Sequence, residues 1–177
     1  MKPHKRVVFG LSTVFLALFW IGCGSQVPIQ DSAEAIFVPE LVGTWQIMPE
    51  PGGEPGEMMV LNFNDREYYV ELREQADGSP EADTLRLRAY ITRVNGTAFI
   101  NAQPIDSMDE DERLFFFYTY ALSPDGLLTL TELQDTSGRD LDGFETSQAL
   151  YTFIRQNLHN EDLYGASITL MKVKIAG

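Results

Sequence analysis

Thr84-Leu-Arg-Leu-Arg-Ala-Tyr-Ile-Thr-Arg-Val94, then Asn95-Gly96, then Thr97-Ala-Phe-Ile-Asn-Ala102, is the stretch that decides the fold. Leu85, Leu87, Ala89 and Ile91 fall on one side of an extended chain, and Arg86, Arg88, Tyr90 and Thr92 on the other. That period of two marks a strand with one face covered. Asn-Gly suits a two-residue hairpin turn, because both central residues of such a turn take positive φ. The stretch therefore predicts a hairpin whose second strand is 97–102.

The same grammar extends in both directions. Upstream, strands are expected over 41–48, 58–63 and 67–74, with Tyr68, Val70 and Leu72 on one face of the last. Pro49-Glu-Pro-Gly-Gly-Glu-Pro-Gly56 is dense in residues that break regular structure. Downstream, 112–122 carries Phe115, Phe116, Phe117, Tyr118 and Tyr120, so both of its faces expect cover. Ser123-Pro-Asp-Gly126 turns the chain into a strand at 127–134. The period then changes. Leu150, Phe153, Ile154 and Leu158 form one stripe of a helix over 147–159, capped by Thr146 or Ser147. This helix is expected to cover a barrel end or a sheet edge. A final strand is expected at 166–175.

The sum is an all-β chain with one helix, in which eight strands run up and down in sequence and the helix precedes the last. Closure into an antiparallel barrel follows, because closure alone removes both sheet edges. An eight-stranded barrel has room for its own side chains or for one small ligand. In the first strand, Gly43-Thr-Trp45 resembles the Gly-x-Trp signature of the lipocalin and wider calycin families. The resemblance implies a lipocalin-like barrel with Gly43 and Trp45 as structural residues of its floor. It also implies a late basic residue over the Trp, for which Arg155, Lys172 and Lys174 are the candidates. In lipocalins the helix follows the last barrel strand, whereas here it comes before it.

Residues 1–22 read as a signal peptide: Lys2, Lys5 and Arg6 form a basic start, and 7–21 is uncharged and nearly all apolar. That run is short for a membrane span of about 20 residues and suits a signal-peptide core. Ile21-Gly22-Cys23 resembles the lipobox of bacterial lipoproteins, although Trp20 stands where Leu is usual. The resemblance implies that Cys23 is acylated and becomes the N-terminus. Cys23 is the only cysteine, so no intrachain disulfide competes for it. Gly24, in place of Asp, leans the expectation towards the outer membrane of a bacterial envelope. Residues 23–40 are expected to be the lipid anchor and a flexible tether, with Ala35-Ile-Phe-Val38 docking on a barrel domain at 41–177.

Charge and chemistry narrow the function. The chain has 13 basic and 26 acidic residues; without the three basic ones at its start, 10 remain against 26, a balance of −16. Such a chain repels nucleic acid and does not adhere to anionic lipid by charge. His159 is the sole histidine after the signal segment, placed to favour the helix C-terminus. No zinc set, nucleophile turn or phosphate loop is present, so neither metal, cofactor nor catalysis is expected. Two acidic loops, Asp106-Ser-Met-Asp-Glu-Asp-Glu112 and Asp135, Asp140, Asp142 and Glu145, lack calcium-loop spacing and read as solvated. The sequence thus predicts a non-catalytic lipoprotein tied to the bilayer through Cys23. Its barrel binds a small hydrophobic molecule or lipid through Tyr68, Leu87, Phe116, Tyr118, Tyr120 and Leu130. The rival is a filled barrel serving as a structural or protein-interaction module, its partner unspecified. A hydrolase built on carboxylates is the third and weakest option, since nothing singles out a pair.

Overall fold

Asn95 and Gly96 take φ of 49° and 90°, the two positive values that a type I′ hairpin turn requires. The turn joins the two strands the sequence predicts and fixes their register, Val94 opposite Thr97 and Ala89 opposite Ala102. The computed structural model describes residues 24–48, 56–74, 83–105, 114–134 and 141–173. Among them are β1 (Gly43–Ile47), β2 (Gly56–Asn62), β3 (Glu67–Glu74), β4 (Asp83–Val94), β5 (Thr97–Pro104), β6 (Phe116–Leu122), β7 (Leu127–Leu133) and β8 (Tyr164–Lys172). The helix α1 (Ser147–Asn157) stands between β7 and β8. Every strand is antiparallel to the next, and β1 pairs with β8, so the eight close into a barrel.

Register sorts the side chains. Tyr68, Ala89, Ala102 and Phe116 lie in one row across β3 to β6, and Ile91, Ile100, Tyr118 and Glu132 in another across β4 to β7. These rows face inward, and the inward apolar residues make the main core. The barrel has two unlike ends. Short turns at 63–66, 95–96 and 123–126 gather at one, which may be called the turn end. The strand ends at Ile47, Gly56, Glu74, Asp83, Pro104, Phe116, Leu133 and Tyr164 gather at the other, the loop end.

A second core lies outside the barrel wall. Val94, Phe99, Phe117 and Leu133 point outward and pack with Leu150 and Ile154 of α1. The helix starts where expected, Thr146 Oγ1 accepting from the Ala149 N–H at 3.2 Å. It covers the side of the barrel and not an end or edge, because the wall there is itself apolar. The aromatic strand is covered on both faces: Phe116, Tyr118 and Tyr120 belong to the inner core, Phe117 to the outer.

The expectation of a flexible tether is corrected. Residues 24–42 form a strap laid along the wall from the loop end to the turn end. Ser25 pairs with Phe115 through both backbone bonds, at 2.9 and 2.7 Å. Ile29 is wholly buried in the outer core, and its N–H donates to Asn101 Oδ1 at 2.9 Å. Asn101 in turn donates to Thr92 Oγ1 at 3.0 Å. Tyr90 donates its hydroxyl to the Gln30 carbonyl, and Arg66 donates to the Ala33 carbonyl. Short 3-10 turns at Ser32–Glu34 and Pro39–Leu41 bend the strap. Ile36 then bridges to Ile91, where β4 runs past the start of β3. Composition hid this, since one buried Ile and several backbone bonds hold the segment without any periodic signal. Residues 1–23, which contain the expected signal peptide and Cys23, lie outside the described residues, as do residues 106–113 and 135–140 of the acidic loops.

Candidate functional site in the barrel interior

The inward rows line a cavity of about 60 Å³ whose walls are apolar. Its width comes from small residues. Ala89 and Ala102 stand opposite each other on β4 and β5, with Val60 and Val70 on the neighbouring strands. Of the six residues expected to meet a ligand, Tyr68, Leu87, Tyr118 and Leu130 line this cavity. Phe116 and Tyr120 also face inward, but they pack against the core beside the cavity. The sequence choice overlooked Met58, Val70, Ala89, Ile91 and Ile100, which the same alternation on β2 to β5 already marked. It favoured aromatic residues, whereas the hollow forms where side chains are short.

The turn end is shut by the strap. The Phe37 ring stacks on Tyr68 with centroids 5.1 Å apart, and the Val38 N–H donates to the Tyr68 hydroxyl at 2.6 Å. Leu41 enters the cavity wall from the 3-10 turn that follows. Trp45 is fully buried and donates from Nε1 to the Leu41 carbonyl at 2.9 Å. Of the three basic residues considered for this place, Lys172 lies over the Trp45 ring, 5.0 Å from its centroid. Its ammonium also donates to the Glu40 carbonyl at 2.7 Å. Arg155 instead lies over Tyr151, and Lys174 is outside the described residues. Gly43 has a φ of +137°, and a Cβ there would come within 3.0 Å of Lys172 Cε, so a side chain at this position would be strained and crowded.

One carboxylate shares the interior. Glu132 is 8% exposed and stands opposite Tyr118 in the β6–β7 ladder. Leu128 and Leu130, the two inward positions before it on β7, line the cavity. Burial pushes its carboxyl above the usual carboxylate range. Burial also raises the Tyr118 hydroxyl well above its ordinary value, and the charge of Glu132 adds to that.

The outer wall of β3 and β4 carries different chemistry. The Tyr69 hydroxyl and Arg73 hydrogen-bond to Glu71, at 2.8 and 2.6 Å, and hold its carboxyl below the usual range, with Arg86 adding its charge. At Glu67 burial raises the carboxyl, but the bonds from Arg88, Asn64 and Ser32 outweigh it and the net direction is down. A polar crevice of about 170 Å³ lies under the strap between Asp31, Arg88, Tyr90 and Gln103. Arg88 is engaged there with Glu67, and Tyr90 with the Gln30 carbonyl, so the crevice reads as the seam between strap and wall. Among the described residues no group of His, Cys, Asp or Glu could hold a metal ion. His159, beyond the end of α1, is exposed and far in sequence from the cavity wall.

Comparison with protein-family models, curated proteins and solved structures finds no match to the chain.

Proposed function

We propose that the protein is a non-catalytic lipoprotein of a bacterial envelope, anchored through acylated Cys23, whose barrel holds a small apolar molecule. The observation that carries the binding reading is the apolar hollow at the barrel centre, made by the facing Ala89 and Ala102. Larger side chains at those positions would have filled a purely structural barrel. The size limits the ligand. A cavity of about 60 Å³ is far below the about 300 Å³ at which drug-sized sites begin. The cavity therefore suits a few carbon atoms, and a longer ligand has to displace side chains such as the stacked Phe37 and Tyr68.

The strap gives the anchor a geometric consequence. Only Gly24 separates Cys23 from Ser25, which is clamped to Phe115 at the loop end. Acyl chains on Cys23 would then hold the barrel within about 7 Å of the bilayer, with the loop end facing the membrane.

The test is to purify the protein from its own host beside an Ala102→Leu variant, extract both with solvent and compare the small molecules by mass spectrometry. A compound present with the wild type and missing from the variant supports the reading. Identical extracts would remove it.

A second reading, the interaction module, has its own observation. Leu127 and Met171 pair on the outer face of β7 and β8, and both are exposed, as are Val173 and Met48. Thr129, Thr169, Thr44 and Gln46 lie among them, so this face of a strongly acidic chain carries no charge. Uncharged, partly apolar sheet faces are where protein partners dock.

A further inference from the structure

The outer face of β7, β8 and β1 is unlike the rest of the wall. From the turn end towards the loop end, its outward pairs on β7 and β8 are Leu127 with Met171, Thr129 with Thr169, and Thr131 with Ser167. Gln46 continues the Met171 row onto β1, where Thr44 is the outward residue before it. Among the described residues of this face none is charged. Leu127 and Met171 are exposed, and the Thr131 and Ser167 hydroxyls bond each other at 2.7 Å. The face is therefore graded, apolar at the turn end and hydroxyl-bearing towards the loop end. It stops at β2, where Glu57 stands opposite Gln46 and pairs with Arg73. Elsewhere the outer wall is charged, through Glu67, Glu71 and Arg88 on β3 and β4, or covered by α1 and the strap.

What such a face can receive follows from charge. With 26 acidic against 13 basic residues, two copies of this chain repel each other wherever their carboxylates meet. A basic partner is drawn to those carboxylates and gains nothing from a face without them. A face stripped of both signs is what a copy of the same charge needs. The grading then selects the arrangement. A two-fold axis parallel to the barrel axis sets each row against its own counterpart, so apolar meets apolar and hydroxyl meets hydroxyl. Copies pointing opposite ways would set Leu127 and Met171 against Thr131 and Ser167. We propose that the protein associates with a second copy of itself, side by side and pointing the same way, through the outer face of β7, β8 and β1. This rests on that face being a docking surface and is independent of what the cavity holds. An anchor on Cys23 would give two copies in one membrane the same orientation. The face spans three strands about 4.8 Å apart over about 20 Å of their length. That is well below the about 800 Å² which one partner of a standard interface buries, so the dimer is weak and concentration-dependent.

The experiment is sedimentation equilibrium of the full chain in density-matched detergent. The wild type should dimerise, and the dimer should tighten as salt rises, because salt screens the repulsion between acidic chains. Thr169, at the centre of the face, carries the test. Thr169→Glu or Thr169→Lys sets like charges against each other across the axis and should weaken the dimer more than about tenfold. Mixing the two variants in equal amounts should restore association, as expected of a face opposed to itself. A wild type that stays monomeric at every concentration, a dimer indifferent to both substitutions, or a mixture no tighter than the single variants would overturn the proposal. Should the wild type be monomeric, retention of a different host membrane protein by the wild type and not by Thr169→Glu would leave the docking surface standing with another partner. No such retention would remove the docking surface as well. If the Thr169 variants do not fold, Thr129→Glu and Thr129→Lys on the neighbouring strand make the same comparison.

Discussion

Trp45 and Glu132 mark the two kinds of buried residue in this barrel. Trp45 is satisfied on every side: its ring is fully buried, its Nε1 donates to Leu41, and Lys172 lies over its face. Trp45→Phe keeps part of the packing and loses the hydrogen bond, so about 1–3 kcal/mol of stability should go. Trp45→Ala also leaves a cavity and should cost about 3–5 kcal/mol. Denaturant unfolding of the two variants checks this ordering. Glu132 is a carboxylate whose burial works against its charge. Its raised carboxyl means that the folded state binds the proton more tightly than the unfolded one. Its contribution is therefore harmless below the unfolded pKa and becomes a penalty as pH rises through the folded one. Glu132→Gln should raise the thermal midpoint at pH 7, and the gain should shrink towards pH 4. A gain that stays constant across this range would contradict the buried charge. Glu67 and Glu71 have lowered carboxyls, so they stabilise above their unfolded pKa and lose that on acidification. Both are unchanged in the variant and cancel from the comparison. The inward position of Glu132 was open to reading from the Leu128, Leu130, Glu132 alternation, but its burial was not, since the cover comes from other strands.

At the scale of elements, the strands and α1 were legible and the strap was not. Period-two runs and turn residues are local signals, and they located β3, β4 and β5 to within a few residues. The ends moved where partners, not propensity, set them: β8 begins at Tyr164 because β7 reaches it through Leu133. The strap is held by contacts of long sequence separation, such as Ile29 to Asn101, 72 residues apart. If it is structural, Ile29→Ala should cost about 2–5 kcal/mol, as for any deletion in a packed core. Asn101→Ala should cost about 1–3 kcal/mol, since it orphans the Ile29 N–H. Chemical denaturation measures both; a freely moving tether would show neither loss. The helix stripe of Leu150 and Ile154 was legible as amphipathic, but the surface it covers was not, because that surface is the outward set of four other elements.

At the scale of the whole molecule, the strap would convert the proposed anchor on Cys23 into an orientation. Cys23→Ala should abolish metabolic labelling by palmitate, and retained label would refute acylation there. In the acylated protein, a fluorophore on a cysteine introduced at Ile105, at the loop end, should be quenched by lipid-borne quenchers. One at Asp125, in a turn at the far end, should not. Equal quenching at both sites would mean that the barrel tumbles on its anchor. The sequence by itself determined the strands, their up-and-down order, the helix before the last strand and the closure into a barrel. Each follows from side-chain period, turn chemistry and the cost of open sheet edges. Only the tertiary structure decided that residues 24–42 are a strap, that the cavity measures about 60 Å³ and that Glu132 is buried beside Tyr118. Those depend on how side chains distant in sequence meet across the barrel and its wall, and no local pattern encodes such distances.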